Sequence, residues 1–584
     1  MTILDDRSTD PLTRFGFQLV DSDEAIGPID RVVRPMAVPD LAPPQPQPQS
    51  RPHMATILRA SSQRIYPEPP TDAERDRYLV GGQRRYLLLL QYLAFLGVLI
   101  SFIGFATSSY WTFIFGVPLV IMAVEQSIAL YTSTFPRAIE LPDHRRTVSE
   151  WNPDRHPSVD VYLPTCGEDL DILANTMKYL AALQWDGPLQ TYVLDDSRRE
   201  SVRALAEQYS FIYLTRANND FKKAGNLHHA FGKSHGEFIA LFDADFVPRH
   251  DFLNELIPYF DTDDVGIVQS PQYFSTSKNL HWIERTAGAT QELFYRFIQP
   301  SRDRHGAAIC VGSSAVYRRS ALEAIGGFPL IQHSEDVVTG FRMATMNIAT
   351  QYVPTVVSKG LCPEHIDKFI AQQYRWCEGS MELLANREFH VNEALSLPAR
   401  LSYWSGFLYN INTAFNAVLL PLPAVIMVWF YPEWVRPANF LWLVGALVLW
   451  FILYPMIMTG RWRIEILRLQ TVYGFAHVFS IYHVLVDRTV EWHPTGSKVA
   501  APIATTVKRF YTVYLGATSA LLAAGLVLRC LHGFSHFWPM VGFSLLNLYI
   551  AGPLVYGGLR DELLDSAGLS SRQKIIRSLS VAQR

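Results

Sequence analysis

Four clusters of polar residues in the middle of this 584-residue chain have the types and spacing to do chemistry together. Asp195-Asp196-Ser197 follows the apolar run TYVLD, and Asp243-Ala244-Asp245 ends EFIALFDAD. Two carboxylates one residue apart at a strand end can grip a hard divalent cation while phosphate oxygens fill its other positions. Ser334-Glu335-Asp336 opens the helical pattern VVTGFRMATM, and one of its carboxylates could act as a general base on a hydroxyl within reach. Gln372, Arg375 and Trp376 stand at i, i+3 and i+4 in AQQYRWCEGSMELL, so one helix face presents an amide, a guanidinium and an indole. The guanidinium fork suits a pyrophosphate, and the indole offers a flat face to a sugar ring. Each cluster alone also has a plain structural reading. Acidic residues close strands for solubility, Ser334 is an acceptable N-cap with Glu335 and Asp336 suited to the helix dipole, and Trp376 could fill a core.

The elements that must hold these residues alternate between strand and helix. SVDVYLPT (158–165), TYVLD (191–195), FIYLTR, EFIALFDAD (237–245) and VGIVQSPQYF (265–274) read as strands. DLDILANTMKYLAAL (169–183), RESVRALAEQY (199–209) and a segment from about Lys223 read as helices between them. Such alternation implies a mostly parallel sheet with helices on both faces, and ligands then bind beyond the carboxyl ends of the strands. The acidic clusters fall there.

The rest of the chain is written for lipid. Hydrophobic residues make up 49% and charged residues 18%, against about 25% charged in ordinary globular proteins. Residues Tyr86–Ala106 and Tyr110–Tyr131 are long enough to cross about 30 Å of hydrocarbon, and four more candidates lie near 412–431, 439–458, 510–530 and 537–557. Glu125 sits inside the second run, where a carboxylate either serves a function or pairs with a neighbouring helix. Arg84, Arg85, Arg461, Arg463, Lys508, Arg509 and Arg560 fall on one side in this count, which the positive-inside rule makes the cytosol. Residues 463–486 and 396–411 mix charges or aromatics with apolar positions and read as interfacial amphipathic helices. Trp404, Trp429, Trp442 and Trp450 suit either an interfacial belt or a sugar path. Residues 1–75, with Pro43-Pro44-Gln45-Pro46-Gln47-Pro48, show no apolar period and read as a disordered tail. The expected division is therefore tail 1–75, two spans in 76–135, a soluble catalytic domain 136–395, interfacial helices and four spans in 396–560, and a tail 561–584. A formal net charge of −3 leaves no basic excess for nucleic acid. The five cysteines form no CxxC pair, and Cys362, His365 and Cys377 lack a fourth ligand at zinc spacing.

Taken in order and set between membrane segments, Asp195-Asp196, Asp243-x-Asp245, Ser334-Glu335-Asp336 and Gln372-x-x-Arg375-Trp376 resemble the D, DxD, TED and QxxRW motifs of processive family 2 glycosyltransferases, the cellulose synthase-like group. The resemblance covers about residues 85 to 560. It implies a GT-A-type α/β cytosolic domain inserted in a polytopic helical membrane domain of about six spans, two before and four after. It also implies a multi-pass inner-membrane enzyme that extends a β-glycan from a UDP-sugar, preferably UDP-glucose, and passes it through its own helices. Thr165, Glu168 and Asp195 would then line the uridine pocket, Lys223 would lie near the nucleotide, and Asp243 and Asp245 would hold the diphosphate, Asp245 through Mg²⁺ or Mn²⁺. Asp336 would be the base, Arg375 would meet the diphosphate, and Gln372 and Trp376 would receive the acceptor. Trp492 and Thr495 in WHPTG resemble a gating loop. Ser334 departs from the usual Thr, and AICVGS places Cys310 one residue early relative to the family's FCGS, which unsettles the acceptor site near Gly312 and Ser313. The stretch after the last span is too short for a PilZ domain, so cyclic-di-GMP control within this chain is not expected, and accessory export subunits are not legible. Transfer of a single sugar to a lipid or polysaccharide, or a transporter or scaffold with a degenerate transferase domain, are the competing readings.

Overall fold

The computed structural model describes residues 66–80, 85–133, 139–277, 279–458, 460, 462–488, 502–532 and 536–566. Tail residues 1–65 and the proposed gating residues Trp492 and Thr495 lie outside these. The segment 67–75, expected to belong to the tail, is instead bound to the soluble domain. Arg249 donates to the Pro70 carbonyl at 2.6 Å, and Arg75 reaches Asp251 and Glu255 at 3.5 and 3.4 Å. Tyr78 and Leu79 then bury themselves. A Pro-rich composition near it masked a short run whose charges have partners 170 residues away.

Helices α1 (Arg85–Ala106) and α2 (Gly116–Ser133) come first. The soluble domain follows with β1 (Val159–Thr165), α3 (Leu170–Leu180), β2 (Leu189–Asp195), α4 (Glu200–Gln208), β3 (Ile212–Leu214), α5 (Lys222–Phe231), β4 (Phe238–Leu241) and β5 (Val247–Pro248). It continues with β6 (Val265–Gln269), β7 (Tyr273–Phe274), β8 (Ala315–Arg318), α6 (Glu335–Thr345), β9 (Ala349–Tyr352), β10 (Ser358–Gly360) and α7 (Ile366–Ala385). Seven strands form one sheet in the order β3-β2-β1-β4-β8-β6-β9, and β5-β10-β7 form a second. The β1–β2, β2–β3, β1–β4 and β6–β9 pairs are parallel, but β8 runs antiparallel to both β4 and β6. The sheet is therefore mixed, a GT-A-like arrangement. Residues 265–274, expected as one strand, divide between the two sheets as β6 and β7.

Alternation along the strands supplies both cores. Val161 and Leu163 pack with Leu173 and Met177 of α3 on one face, while Tyr162 packs with Leu227 and Ala230 of α5 on the other. The strands are buried on both sides, as parallel strands under helices must be. A fully buried aromatic such as Phe242 or Phe252 contributes about 1.5–3 kcal/mol.

After the domain come α8 (Leu397–Leu419), α9 (Glu465–Leu485), α10 (Pro502–Cys530) and α11 (Trp538–Ser566). Among the described residues six segments are long and apolar enough to cross a membrane: Leu87–Ala106, Tyr110–Thr132, Leu397–Phe430, Pro437–Ile457, Pro502–Cys530 and Trp538–Asp561. Two precede the soluble domain and four follow it. The chain is a multi-pass membrane protein. Residues 396–411, expected as a separate interfacial helix, are instead the first turns of α8 and continuous with the third span. Helix α9 is no span and is not laid open on a surface either. Leu469, Val472, Phe475 and Ala476 pack between Phe369, Ile370 and Tyr374 of α7 and Ile503, Ala504 and Val507 of α10. Glu125 is buried and carries a hydrogen bond from Gln126 at 2.6 Å.

Small residues let the spans approach. A Cβ at Gly97 of α1 would collide with the Trp442 carbonyl of the fourth span, a backbone atom that cannot swing aside. Gly97→Val is expected to lower the thermal unfolding temperature of detergent-solubilised protein by several degrees, read by tryptophan fluorescence. A wild-type transition would show that the two helices do not meet there.

Candidate active site

The cleft opens beyond the carboxyl ends of β1, β2 and β4, where the sheet order turns back on itself. At the end of β1 the Thr165 hydroxyl and the Cys166 N–H both donate to the Glu168 carboxylate at 2.6 Å, fixing the loop that enters α3. At the end of β2 the Asp195 carboxylate accepts from Ser197 N–H at 2.9 Å, Arg199 N–H at 2.8 Å and the Tyr213 hydroxyl at 3.0 Å. Asp195 is fully buried and its oxygens are taken up by the following turn. Its neighbour Asp196 forms a two-pronged pair with Arg216, 2.7 Å on each side. These residues shape the β1 and β2 side of the cleft.

The β4 end carries the charge. Lys223, near the start of α5, donates to Asp243 at 2.6 Å and to the Gly312 carbonyl at 2.9 Å, and lies 3.7 Å from Glu335. One ammonium thus ties α5, the DxD loop, the loop before β8 and the start of α6. The Asp243 N–H donates to the Ser313 hydroxyl at 2.9 Å, which fastens the same two loops again. Asp336 lies against Gly312: a Cβ placed on that glycine would be 2.8 Å from the Asp336 Cβ and 2.9 Å from its Oδ2. Gly312 has φ +65°, a left-handed conformation that glycine alone adopts freely. Sequence reading associated Gly312 and Ser313 with the acceptor site through the shifted AICVGS motif, and Glu335 with the acidic cluster of Asp336; it did not foresee that all three would meet Lys223 and the DxD loop.

Burial decides the protonation of the carboxylates. Asp336 is pushed up to about 7 by burial first and by Glu335 second, with Lys223 opposing and Asp243 adding. Asp245 is likewise raised to about 7 by burial and by Asp243, with Glu168 adding. Lys223 is raised because Asp243 and Glu335 outweigh its burial. Arg375 is lowered by burial, although Asp243, Glu335 and Glu378 act to hold its charge. The DxD, SED and QxxRW residues therefore share one electrostatic field. Trp376, by contrast, is 39% exposed, a free indole face on α7. Gln372 lies one turn before it, half-buried.

Ser334 does not cap α6 as expected. It takes a left-handed backbone, φ 54°, its side chain makes no capping bond, and its hydroxyl faces α7 at Gly379. Glycine at 379 leaves the room that this contact needs.

A divalent cation fits the donor set. Asp243 and Asp245 lie in an acidic cleft with Glu168, Glu335 and Asp336, where Lys223 opposes them, and the raised Asp245 has a carboxylate that a cation would ionise. Among the described residues no cluster of three or more His, Cys, Asp or Glu is set to hold a metal. Asp243 and Asp245 would hold such an ion as two carboxylate ligands.

A group whose native value lies above its unfolded value holds its proton longer in the folded state, so stability falls as pH rises from about 4 to about 7. Asp336→Asn is therefore expected to raise the unfolding temperature of the substrate-free protein at pH 8 and to leave it unchanged at pH 4, measured by differential scanning fluorimetry. Equal transitions at pH 8 would place the carboxyl in water.

Residues 160–326 match the profile of glycosyl transferase family 2. A cellulose synthase catalytic subunit (UDP-forming) of Xanthomonas axonopodis pv. citri (strain 306) is 32% identical over 258 residues, 43% of this chain and 35% of that protein. That of Pseudomonas fluorescens (strain SBW25) is 32% identical over 282 residues, 47% of this chain and 38% of that protein. Cellulose synthase 1 of Komagataeibacter xylinus is 32% identical over 281 residues, 47% of this chain and 18% of that protein. The chain thus spans well under half the length of each of these relatives. Among solved structures, the mannosyltransferase PcManGT from Pyrobaculum calidifontis, in complex with GDP-Man and Mn²⁺, is 17% identical with a TM-score of 0.43, covering 63% of this chain and 98% of that one. Residues 160–326, which hold Asp195, Lys223, Asp243 and Asp245, are a glycosyl transferase family 2 domain, set in a chain similar to bacterial cellulose synthase catalytic subunits.

Proposed function

We propose that the protein is a processive, inverting glycosyltransferase that polymerises a β-glucan from UDP-glucose at the cytosolic face of the inner membrane and passes the product through its own helices. The observation that carries this reading is the convergence on Lys223: its ammonium bonds Asp243, reaches Glu335 and accepts the field of Asp336, so two signatures far apart in the chain, DxD and SED, meet in one cleft. The similarity to UDP-forming cellulose synthases supports the donor and the product. The arginine and lysine residues flanking the spans, among them Arg463, Lys508 and Arg509, support a cytosolic catalytic domain.

In this reading Thr165 and Glu168 hold the nucleotide end and Arg375 meets the diphosphate. Asp336, ionised, takes the proton of the acceptor hydroxyl as that oxygen attacks the anomeric carbon from the side opposite the diphosphate, and inversion follows. Its value near 7 suits a base working at neutral pH. Arg375 and Lys223 stabilise negative charge growing on the departing UDP. Mg²⁺ or Mn²⁺ at Asp243 and Asp245, when bound, supplies Lewis-acid neutralisation of that diphosphate. Trp376 receives the terminal sugar on its exposed face, with Gln372 beside it, and holds the product for the next cycle.

Membrane vesicles given separately labelled UDP-glucose, UDP-N-acetylglucosamine and UDP-galactose, with products digested by linkage-specific hydrolases, test donor, bond and length together. A β-glucan polymer from UDP-glucose is expected. A single added sugar would replace processivity with simple transfer, and absence of turnover would leave a transporter or scaffold. Turnover is expected to rise with pH through about 7 and then level off, because the base must be ionised. Asp336→Asn is expected to reduce it at least 10³-fold with UDP binding kept, and polymer formation by this variant would remove Asp336 from its role.

A further inference from the structure

Behind Arg375, on the next turn of α7, Glu378 is a carboxylate that the transfer chemistry does not use. It is 4% exposed and has no lysine or arginine within ion-pair distance among the described residues. Its two oxygens face different elements. Oε1 accepts from the Tyr374 hydroxyl at 3.4 Å, and Oε2 lies 3.8 Å from His333 Nδ1. The Tyr374 hydroxyl is shared with His483 Nδ1 of α9 at 2.9 Å. His333 directly precedes Ser334, and Ser334 is the residue pressed onto Gly379. Two adjacent contacts, 333 with 378 and 334 with 379, therefore seat the turn that carries Asp336 on the helix that carries Arg375 and Trp376.

We infer that Glu378 is a positioning residue: by anchoring His333 it sets the His333–Ser334 turn, and with it Asp336, in register with the acceptor helix. The turn needs such an anchor. Ser334 holds a left-handed backbone without a capping bond, a conformation that is strained for a non-glycine residue and persists only where neighbours enforce it. The contact to Gly379 leaves no room for adjustment on one side, and Glu378 fixes the other.

The surroundings of Glu378 match this role. The charged and titratable groups facing it are Tyr374, Arg375 and Glu382 from its own helix, His333 from the turn before α6, Lys222 from α5 and, through Tyr374, His483 from α9. Burial pushes the Glu378 carboxyl up to about 7, opposed by Tyr374, Lys222 and Arg375, while burial with Lys222 and Arg375 holds His333 down at about 4. At neutral pH the histidine is an uncharged ring, and at 3.8 Å from Glu378 Oε2 it meets the carboxyl as a buried neighbour and neither as an ion pair nor as a hydrogen-bond partner, so the seat is one of close packing.

The inference concerns the reaction proposed above and is tested by two readouts, one of which needs no turnover. Hydrogen exchange of the purified full-length protein reports on the turn itself: Glu378→Ala is expected to speed exchange of the 333–338 amides at least tenfold while leaving β1 and β4 protected. In the sugar-transfer assay, Glu378→Ala is expected to lower kcat at least tenfold with KM for UDP-glucose within twofold, and Glu378→Gln, which keeps a side-chain acceptor, to recover most of that loss. His333→Ala is expected to match Glu378→Ala, and the double variant to be no worse than either, since both remove one contact. Unchanged exchange in Glu378→Ala overturns the assignment whatever the turnover, and so does faster exchange with wild-type kcat, or additive losses in the double variant. A wild-type enzyme that turns over no nucleotide sugar sinks the proposed reaction, yet the exchange result still decides whether Glu378 holds the turn.

Discussion

Too many carboxylates share this cleft for it to stand without cations, and the position of Lys223 follows from that constraint. Asp243, Asp245, Glu168, Glu335 and Asp336 all act on one another through space, and burial already penalises their charged forms. Like charges in a poorly solvated site cannot all ionise, so two of them rise toward neutrality. Lys223 is a cation the fold supplies permanently, and it stands between Asp243 and Glu335. Arg375 is a second, brought by a later helix and acted on by the same two carboxylates. The carboxylates here outnumber these two cations, which is the condition that favours a bound cation.

The sheet makes that crowding possible. Strands β1, β2 and β4 are parallel and deliver their carboxyl ends to one edge, and antiparallel β8, inserted beside β4, returns the chain so that the loop before it meets the DxD loop from the opposite direction. Gly312 and Ser313 stand in that loop. A parallel neighbour at this position would present its amino end elsewhere, and the Lys223–Gly312 and Asp243–Ser313 bonds would have no counterpart. The antiparallel strand is therefore a functional feature of the topology, since it carries the glycine against which Asp336 rests.

What could be seen in the sequence divides along a physical line. Gln372-x-x-Arg375-Trp376 was legible because the helix period converts spacing directly into shared orientation, and Asp243-x-Asp245 because it follows the apolar run of β4, although both carboxylates lie in the turn beyond the last strand residue, Leu241. Strands β1, β2 and β4 and the helices between them were legible for the same reason, and six lipid-length runs needed only counting. Asp195 was legible as a strand-end carboxylate, but that its oxygens would be absorbed by Ser197, Arg199 and Tyr213 depends on a turn no period encodes. The reversal at β8 was hidden because direction leaves no trace in an alternation of apolar residues. Ser334 read as an N-cap because its type fits one; its left-handed backbone is imposed by Gly379, forty-five residues away. The segment 67–75 was hidden by composition, since its partners Asp251 and Glu255 are remote.

Helix α7 is where the chemistry and the membrane are mechanically one object. Its outer face carries Arg375 toward the cleft, its inner face packs on α9 and α10, and its first turn is pinned to the spans because Lys508 of α10 bridges Asp367 of α7 and Asp561 of α11, 2.9 Å to each. Helix α9 in turn bonds the third span through Tyr473 with Tyr409 at 2.8 Å and His477 with Thr413 at 2.6 Å. A displacement of the bundle cannot leave α7 where it was, since the contacts between them are buried and polar as well as apolar, and each would be lost at a desolvation cost. The same reasoning runs the other way. A load on the outer face of α7, where Trp376 is exposed, is passed to α9 and α10 and through them to the spans, because the far side of that helix is part of the same packing.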